Sequence, residues 1–455
     1  MPSTLCPPVL RHFCAVAAVF AALLAAGCAN NAKLTEAPHG QPQPPPLTTA
    51  SITPLTRTDL ASLPPASTTE GALPLTGSAT TSKPLKIGLL LPLGGFDQTA
   101  AVAKGMKQAA EMALFEAERP GVQLIVKDDK GTPEGAKAAT EEAIREGAEI
   151  ILGPLFGRAV AGVAPVAQAS NVPVLTFSND RTVAGHGVYT MGFLPSGEVD
   201  RIVGFAASQG KRRLAALVPD DSYGQVVGAA FRDAVVRSGG TVAVLESYPA
   251  GANAMLMPSR RIVEAIKASE AAGSQIDAVF VPGGQDVLPQ LGPLMAYSGF
   301  DAGKVKLLGS GAWEFAAIGN NGTFVGGWYP APDPQGWRAF NGRFIKAFGT
   351  PPPRLASVAF DAVNIAMNLS ATSGASAPFT AANFTRPGGF SGVDGLIRFR
   401  TDGLSERALA VLEVQKIGST VVEAAPASLD GAKLTAAAPP SPVSATATAA
   451  PPRVN

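Results

Sequence analysis

The side chains that most often carry catalysis or bind metals are scarce and scattered in this sequence. Beyond Cys28 the only histidines are His39 and His186, so neither a histidine relay nor a histidine-rich metal site can form. Asp128 and Asp129 are adjacent in an extended segment, which directs their carboxylates to opposite faces. No P-loop, G-x-S-x-G or H-E-x-x-H motif occurs. We therefore expect a protein that is not an enzyme and uses no cofactor or metal, with a carboxylate-only hydrolase as the enzymatic alternative.

The three cysteines indicate processing at the N-terminus. Cys6, Cys14 and Cys28 all precede residue 30, and the apolar stretch at residues 13–24 is too short to span a bilayer, which takes roughly 20 residues. This pattern predicts a signal peptide over residues 1–27. The sequence LAAGC at residues 24–28 resembles a lipobox, so Cys28 is the expected lipidation site and membrane anchor. Ala29, rather than aspartate, follows it, which favours the periplasmic face of the outer membrane.

Composition and length set the remaining limits. The chain has 455 residues, a net charge of +1 and 16% charged residues, and no basic cluster recurs along a helix face, so a nucleic-acid partner is not expected. This length is too great for a single core, and two lobes with flanking segments are the natural expectation. Residues 28–83 and 423–455 are rich in Pro, Ala, Thr and Ser, and we predict a disordered leash and a disordered tail.

Between these segments, apolar strands alternate with amphipathic helices, which is typical of parallel sheets covered on both faces. The fold class expected is α/β, with two doubly wound parallel-sheet lobes joined by three crossovers. Lobe 1 is assigned residues 84–196 and 325–388, and lobe 2 residues 197–324 and 389–422. The late strands at 396–399 and 409–414 are placed on lobe 2.

Ligands of open parallel sheets bind beyond the carboxyl ends of the strands. This rule selects five loops as candidate walls of a site: residues 92–97, 153–158, 176–180, 219–224 and 309–314.

Several of these loops carry a family resemblance. The sequences IGLLLPL at 87–93, IILGPLF at 150–156, PVLT at 173–176, DDSYG at 220–224 and SGVDGLIRF at 391–399 together resemble the type I periplasmic binding proteins of the leucine/isoleucine/valine group. The resemblance implies an amino acid or similar small polar ligand clamped between lobes. Hydroxyls and backbone amides at a helix start would take its carboxylate, and an acidic residue its ammonium group.

The resemblance also implies site residues and one departure. Gly157 stands where those relatives usually place serine, and Arg158 beside it is either an anion ligand or a solvated, salt-bridging residue. The other expected ligand contacts, with loop capping or core packing as the alternative for each, are Thr176, Ser178, Asn179, Tyr223, Trp313 and Glu314.

Two functions remain open at this point. The first is a lipid-anchored receptor that delivers an amino acid to an ABC permease. The second is an interaction lipoprotein resembling the penicillin-binding-protein activators, which share this fold and regulate peptidoglycan synthesis. The long leash and the missing serine favour the second, and the overall resemblance favours the first.

Overall fold

The computed structural model describes residues 84–94, 97–119, 121–372 and 377–430. Cys28, the signal peptide, the leash and nearly all of the tail lie outside the described residues, so their predictions stay predictions. Within the described residues, no helix is long and apolar enough to cross a membrane.

The described chain contains the alternating elements that the sequence predicts. The strands are β1 Leu85–Leu91, β2 Val122–Asp128, β3 Ile150–Leu152, β4 Val174–Thr176, β5 Val188–Thr190, β6 Arg213–Pro219, β7 Thr241–Tyr248, β8 Ala278–Phe280, β9 Lys306–Leu308, β10 Trp328–Ala331, β11 Phe390–Gly392, β12 Gly395–Phe399, β13 Ser405–Arg407, β14 Ala410–Val414 and β15 Ser419–Glu423. The α-helices are α1 Gln98–Ala117, α2 Pro133–Arg145, α3 Gly157–Ala169, α4 Pro195–Ser208, α5 Ser222–Arg237, α6 Ala252–Ala271, α7 Leu288–Tyr297, α8 Pro334–Phe348, α9 Ala356–Thr372 and α10 Ala381–Phe384.

Two sheets form the two lobes. The first has the order β2-β1-β3-β4-β5 and is parallel throughout. The second has the order β15-β14-β10-β9-β8-β6-β7, in which β14 and β15 alone run antiparallel to their neighbours. Central strands such as β1 are buried on both faces, which is why their sequences are continuously apolar. The fold-class prediction of two α/β lobes is therefore confirmed.

Local capping fixes where the helices begin. Asp97 accepts a hydrogen bond from the Ala100 amide and starts α1, and Asp221 accepts one from Gly224 and starts α5. Thr132 does the same for α2, with Pro133 in the first turn. These caps place the loops that precede α1, α2 and α5 at the carboxyl edges of the sheets.

The last crossovers differ from the sequence prediction. We expected residues 396–399 on lobe 2, but β11, β12 and β13 form a separate antiparallel sheet, and Ile397 and Phe399 are buried in the lobe 1 core beside Phe384. Conversely, β10, within the range assigned to lobe 1, pairs with β9 and β14 in the lobe 2 sheet. Packing of apolar side chains, rather than order along the chain, decides these memberships.

Candidate functional site

The loops after β3 and β4, which the sequence analysis selected as candidate walls of a site, have their hydroxyl groups engaged within the loops. Thr176 is fully buried and donates a 2.9 Å hydrogen bond to the Pro154 carbonyl. The Ser178 amide donates to the Thr176 hydroxyl at 3.2 Å, and the Asp180 amide donates to the Ser178 hydroxyl at 3.0 Å. The structure thus brings Thr176 and Ser178 together, as parts of a tight turn.

The start of α3 faces a carboxylate of the chain itself. A Cβ atom on Gly157 would lie 3.0 Å from the Asp180 Oδ2 atom and 3.1 Å from the Ser178 hydroxyl. A serine at this position would therefore require the Asp180 and Ser178 side chains to move slightly. The Asp180 carboxylate also makes the amino end of α3 a poor place for a ligand's carboxylate.

Arg158 and Asn179 lie at the exposed edge of these loops. The Arg158 Nε atom donates to the Gly131 carbonyl at 2.9 Å, and its guanidinium lies 5.0 Å from the centre of the Phe156 ring. Arg158 therefore joins the loops that follow β2 and β3. Asn179 is exposed at the tip of the next loop.

Tyr223 lies on the lobe 2 side, in the first turn of α5. Its hydroxyl donates to the Ser310 hydroxyl at 3.2 Å, which links the loops after β6 and β9. Burial raises the pKa of Tyr223 to about 12, so the phenol stays protonated at neutral pH.

Trp313 does not fit its expected role as a wall of the cleft. The indole is fully buried in the core of lobe 2, where it packs against Phe324 and Tyr329. Its Nε1 atom donates to the Val281 carbonyl at 2.9 Å, so the single polar atom of the side chain is satisfied. The large apolar surface of the ring explains this placement.

Glu314 is paired with an arginine of the other lobe. Its Oε2 atom lies 3.1 Å from the Arg354 Nε atom, and Arg354 precedes α9 of lobe 1. The Arg354 Nη2 atom also lies 2.8 Å from Oδ1 of the buried Asp394, an ion-pair contact without hydrogen-bond geometry. The guanidinium lies 4.6 Å from the centre of the Trp337 ring. The acid that the resemblance assigns to a ligand's ammonium group thus already has a cationic partner.

Glu198, which the sequence analysis missed, supplies a second carboxylate at this place. Its Oε2 atom accepts a 2.9 Å hydrogen bond from the Gly311 amide, and no cation lies within ion-pair distance among the described residues. Burial raises the pKa of Glu198 to about 7, against the lowering effect of the Gly311 amide, and the charge of Glu314 adds to the rise. The sequence analysis missed Glu198 because an acid in the first turn of a helix indicates only a favourable contact with the helix dipole.

Arg407 is the cationic counterpart of Glu198 on lobe 1. It ends β13, donates to the Met191 carbonyl, and lies 4.3 Å from the centre of the Phe193 ring. Its Nε atom is buried without a hydrogen-bond partner, and burial lowers the pKa of the guanidinium. No carboxylate lies within ion-pair distance of Arg407 among the described residues.

A cavity of about 560 Å³ brings Glu198 and Arg407 to the same space. Its lobe 2 wall is formed by α4 and α5, including Ser222 and Gln225, and its lobe 1 wall by the β12–β13 hairpin. A volume of this size suits a small organic ligand. In the described residues, no group of three or more His, Cys, Asp or Glu side chains is placed to hold a metal ion.

Comparisons with known proteins agree with this architecture. A sequence model of the periplasmic binding protein family matches residues 84–419. An uncharacterized protein of Rickettsia prowazekii (strain Madrid E) is 24% identical over 166 residues, which are 36% of this chain and 44% of that protein. The match thus spans less than half of that relative.

Solved structures show the same fold. A putative branched-chain amino acid ABC transporter protein from Rhodospirillum rubrum is 20% identical, with a TM-score of 0.63 over 74% of this chain and 100% of that one. An ABC transporter substrate-binding protein from Desulfitobacterium hafniense in complex with Leu is 20% identical, with a TM-score of 0.56 over 74% and 99% of the two chains. The family match shows that the chain belongs to the periplasmic binding protein family, whose members bind ligands rather than catalyse reactions, and the solved structures share its two-lobed α/β fold.

Proposed function

We propose that the protein is a periplasmic solute receptor that binds a small polar ligand between its lobes and presents it to an ABC permease. The observation that carries this proposal is the cavity lined by Glu198 from lobe 2 and Arg407 from lobe 1, neither of which has an ion-pair partner among the described residues. Both residues are partly buried, and because charges that lose water without gaining a partner are costly, a ligand with both a carboxylate and an ammonium group would compensate both. The Desulfitobacterium protein that binds Leu supports an amino acid as the ligand class.

Tyr223 is included in the proposed site because it follows Ser222, which lies in the wall of the cavity. Because its proton is donated to Ser310, its hydroxyl oxygen is left to accept a hydrogen bond from a ligand. Thr176, Ser178 and Glu314 contribute in this proposal by holding the loops rather than by direct contact, because their polar atoms already have partners within the chain.

Calorimetric titration with the common amino acids tests the proposal. We expect one or more to bind, and we expect Glu198→Gln and Arg407→Gln each to weaken affinity by about 10- to 100-fold, because a charge-assisted contact is lost. Arg158→Ala, which changes an exposed arginine outside the cavity, is the matched control and should bind normally. Binding that is equally strong in all three variants, or absent from the wild-type protein, contradicts the proposal.

A second candidate function is an interaction lipoprotein resembling the penicillin-binding-protein activators. Two contacts favour it: Arg354 takes the carboxylate of Glu314, and Asp180 lies over the start of α3, so both positions that the resemblance assigns to a ligand are met by the chain itself. A purified penicillin-binding protein that binds the wild-type chain, Glu198→Gln and Arg407→Gln with equal affinity would support this candidate, since the contacts would then lie outside the cavity.

We further propose that the chain is anchored through a lipid on Cys28, in the outer membrane. The lipobox-like sequence at 24–28 and the residue Ala29 support this proposal. Mass spectrometry of the mature N-terminus should find an acylated Cys28, and membrane fractionation should recover the protein with outer-membrane markers.

A further inference from the structure

Residues 424–430, which we name the C-terminal strap, lead away from the edge strand of lobe 2. Arg201 on α4 holds the beginning of the strap: its Nη2 atom donates to the Ala424 carbonyl at 3.3 Å, and its Nη1 atom lies 3.3 Å from Oε2 of Glu423. The Arg201 Nε atom donates to the Leu409 carbonyl at 2.6 Å. Since α4 and β15 both belong to lobe 2, this end of the strap is fixed to lobe 2.

The far end of the strap is attached to lobe 1. Arg398 lies on β12, whose neighbouring residues Ile397 and Phe399 are buried in the lobe 1 core. Its Nη1 atom lies 2.7 Å from the Asp430 Oδ1 atom, and its Nη2 atom donates to the Leu429 carbonyl at 3.1 Å. The strap therefore joins the two lobes outside the three crossovers.

An apolar contact accompanies these polar ones. Leu429 is 5% exposed, although the strap on either side of it is exposed. With Pro426 it covers a cavity of about 330 Å³ whose other walls include Phe205 of α4 and Leu409 of the third crossover. The strap thus lies across the segments that any rotation of one lobe against the other would move.

We propose that the C-terminal strap is a latch that holds the two lobes in this arrangement and detaches at its lobe 1 end when they open. Rotation of the lobes separates Arg201 from Arg398, and a strap of seven residues fixed at both ends resists that separation. The attachment to lobe 1 is the weaker one, because it consists of the Arg398 contacts with the Leu429 carbonyl and with Asp430, whose side chain is 65% exposed, whereas the buried Leu429 side chain lies beside α4 of lobe 2. The latch therefore releases there, while the contacts with Arg201 persist.

The distance between the lobes tests this proposal directly and needs no ligand. Spin labels are placed at Phe115 on α1 and Tyr297 on α7, which are 83% and 74% exposed, after replacement of each by cysteine in a background with Cys6, Cys14 and Cys28 changed to serine. Pulsed electron resonance then gives the distribution of distances between the lobes. When the strap is unmodified, we expect one dominant distance between the two labels.

The double variant Leu429→Ala/Asp430→Ala removes the ion pair with Arg398 and the apolar side chain that holds the end of the strap against α4 and the third crossover, and we expect it to raise the share of a second, different distance by on the order of tenfold. Asp430→Arg changes a side chain that is 65% exposed and places a second positive charge beside Arg398, and it should raise that share by about two- to threefold. Ala427→Ser, an exposed position in the middle of the strap, is the matched control and should behave as the parent. Distributions that are unchanged in both the double variant and Asp430→Arg would overturn the proposal.

Discussion

Arg354 tests how the lobes are joined, because its two ion-pair partners differ in burial. The Asp394 side chain is fully buried, whereas that of Glu314 is 28% exposed. We predict that Arg354→Met lowers the stability of the protein much more than Glu314→Gln, although both changes remove the same pair between the lobes.

The expected magnitudes follow from that difference. Removing one partner of a buried ion pair typically costs about 3–5 kcal/mol, because a charge is left without compensation. In Arg354→Met, Asp394 still accepts the 2.7 Å hydrogen bond from the Ser357 hydroxyl. Because this bond partly compensates the buried charge, we expect Arg354→Met to cost about 2–3 kcal/mol. Glu314→Gln breaks a pair whose side chains are 28% and 30% exposed, and pairs at such exposure contribute about 0–1 kcal/mol.

Thermal unfolding followed by circular dichroism separates these cases. For a large domain, 1 kcal/mol corresponds to about 2–4 °C in Tm, so Arg354→Met should lower Tm by about 5–10 °C and Glu314→Gln by no more than about 4 °C. The double variant Arg354→Met/Asp394→Asn should regain more than half of the loss, since the buried charge is gone. Equal losses for the two single variants, or no recovery in the double variant, would refute the argument that the buried half of this network carries its stability.

Two further predictions concern the lobe cores. Burial raises the pKa of Asp361 to about 7, so the folded state keeps a proton that the unfolded chain releases near pH 4, and the free energy of unfolding should fall as pH rises from about 4 to 7. Asp361→Asn should weaken this dependence in urea titrations, and an unchanged slope would contradict it. Gly162→Ala should strongly lower Tm, because its Cβ would lie 1.9 Å from the Pro133 carbonyl oxygen, whereas Gly204→Ala, with no atom within 4 Å of its Cβ, should gain about 0.5–1 kcal/mol. An unchanged Tm in Gly162→Ala would contradict this prediction, because it would mean that α2 and α3 can move apart without loss of stability.

The sequence predicts the fold wherever an element is long or continuously apolar. Strands such as β1 and β6 are buried runs of seven residues, and the helices between them have caps that the sequence shows directly. It missed β5 and β10, which have three and four residues. Pro330 lies inside β10, and proline normally argues against a central strand. Here pairing with β9 and β14 on either side outweighs that local signal.

The site was less predictable than the fold, because single residues near strand ends have several equivalent roles. An aromatic residue beside an acid, such as Trp313 beside Glu314, is typical of a cleft wall, yet packing against Phe324 buries the indole. Glu198 and Arg407 carry no local motif, and they meet at one cavity only because α4 and β13 come together when the lobes assemble. Of the five loops that residue type and spacing selected, one, residues 219–224, contributes to the lining of this cavity, and tertiary packing brings the other lining residues together.

Two sets of charges between the lobes have different consequences for binding. Arg354 with Glu314 and Arg398 with Asp430 are paired across the lobes, so they favour the described arrangement without any ligand. Glu198 and Arg407 are left for a ligand in the proposed site. If only the closed arrangement binds, the apparent Kd equals the intrinsic Kd divided by the closed fraction. A latch variant that lowers this fraction from about 0.9 to about 0.5 therefore weakens binding only about twofold, whereas Glu198→Gln weakens it at any closed fraction. Distance measurements, rather than affinities, consequently report on the strap, and affinities report on the cavity.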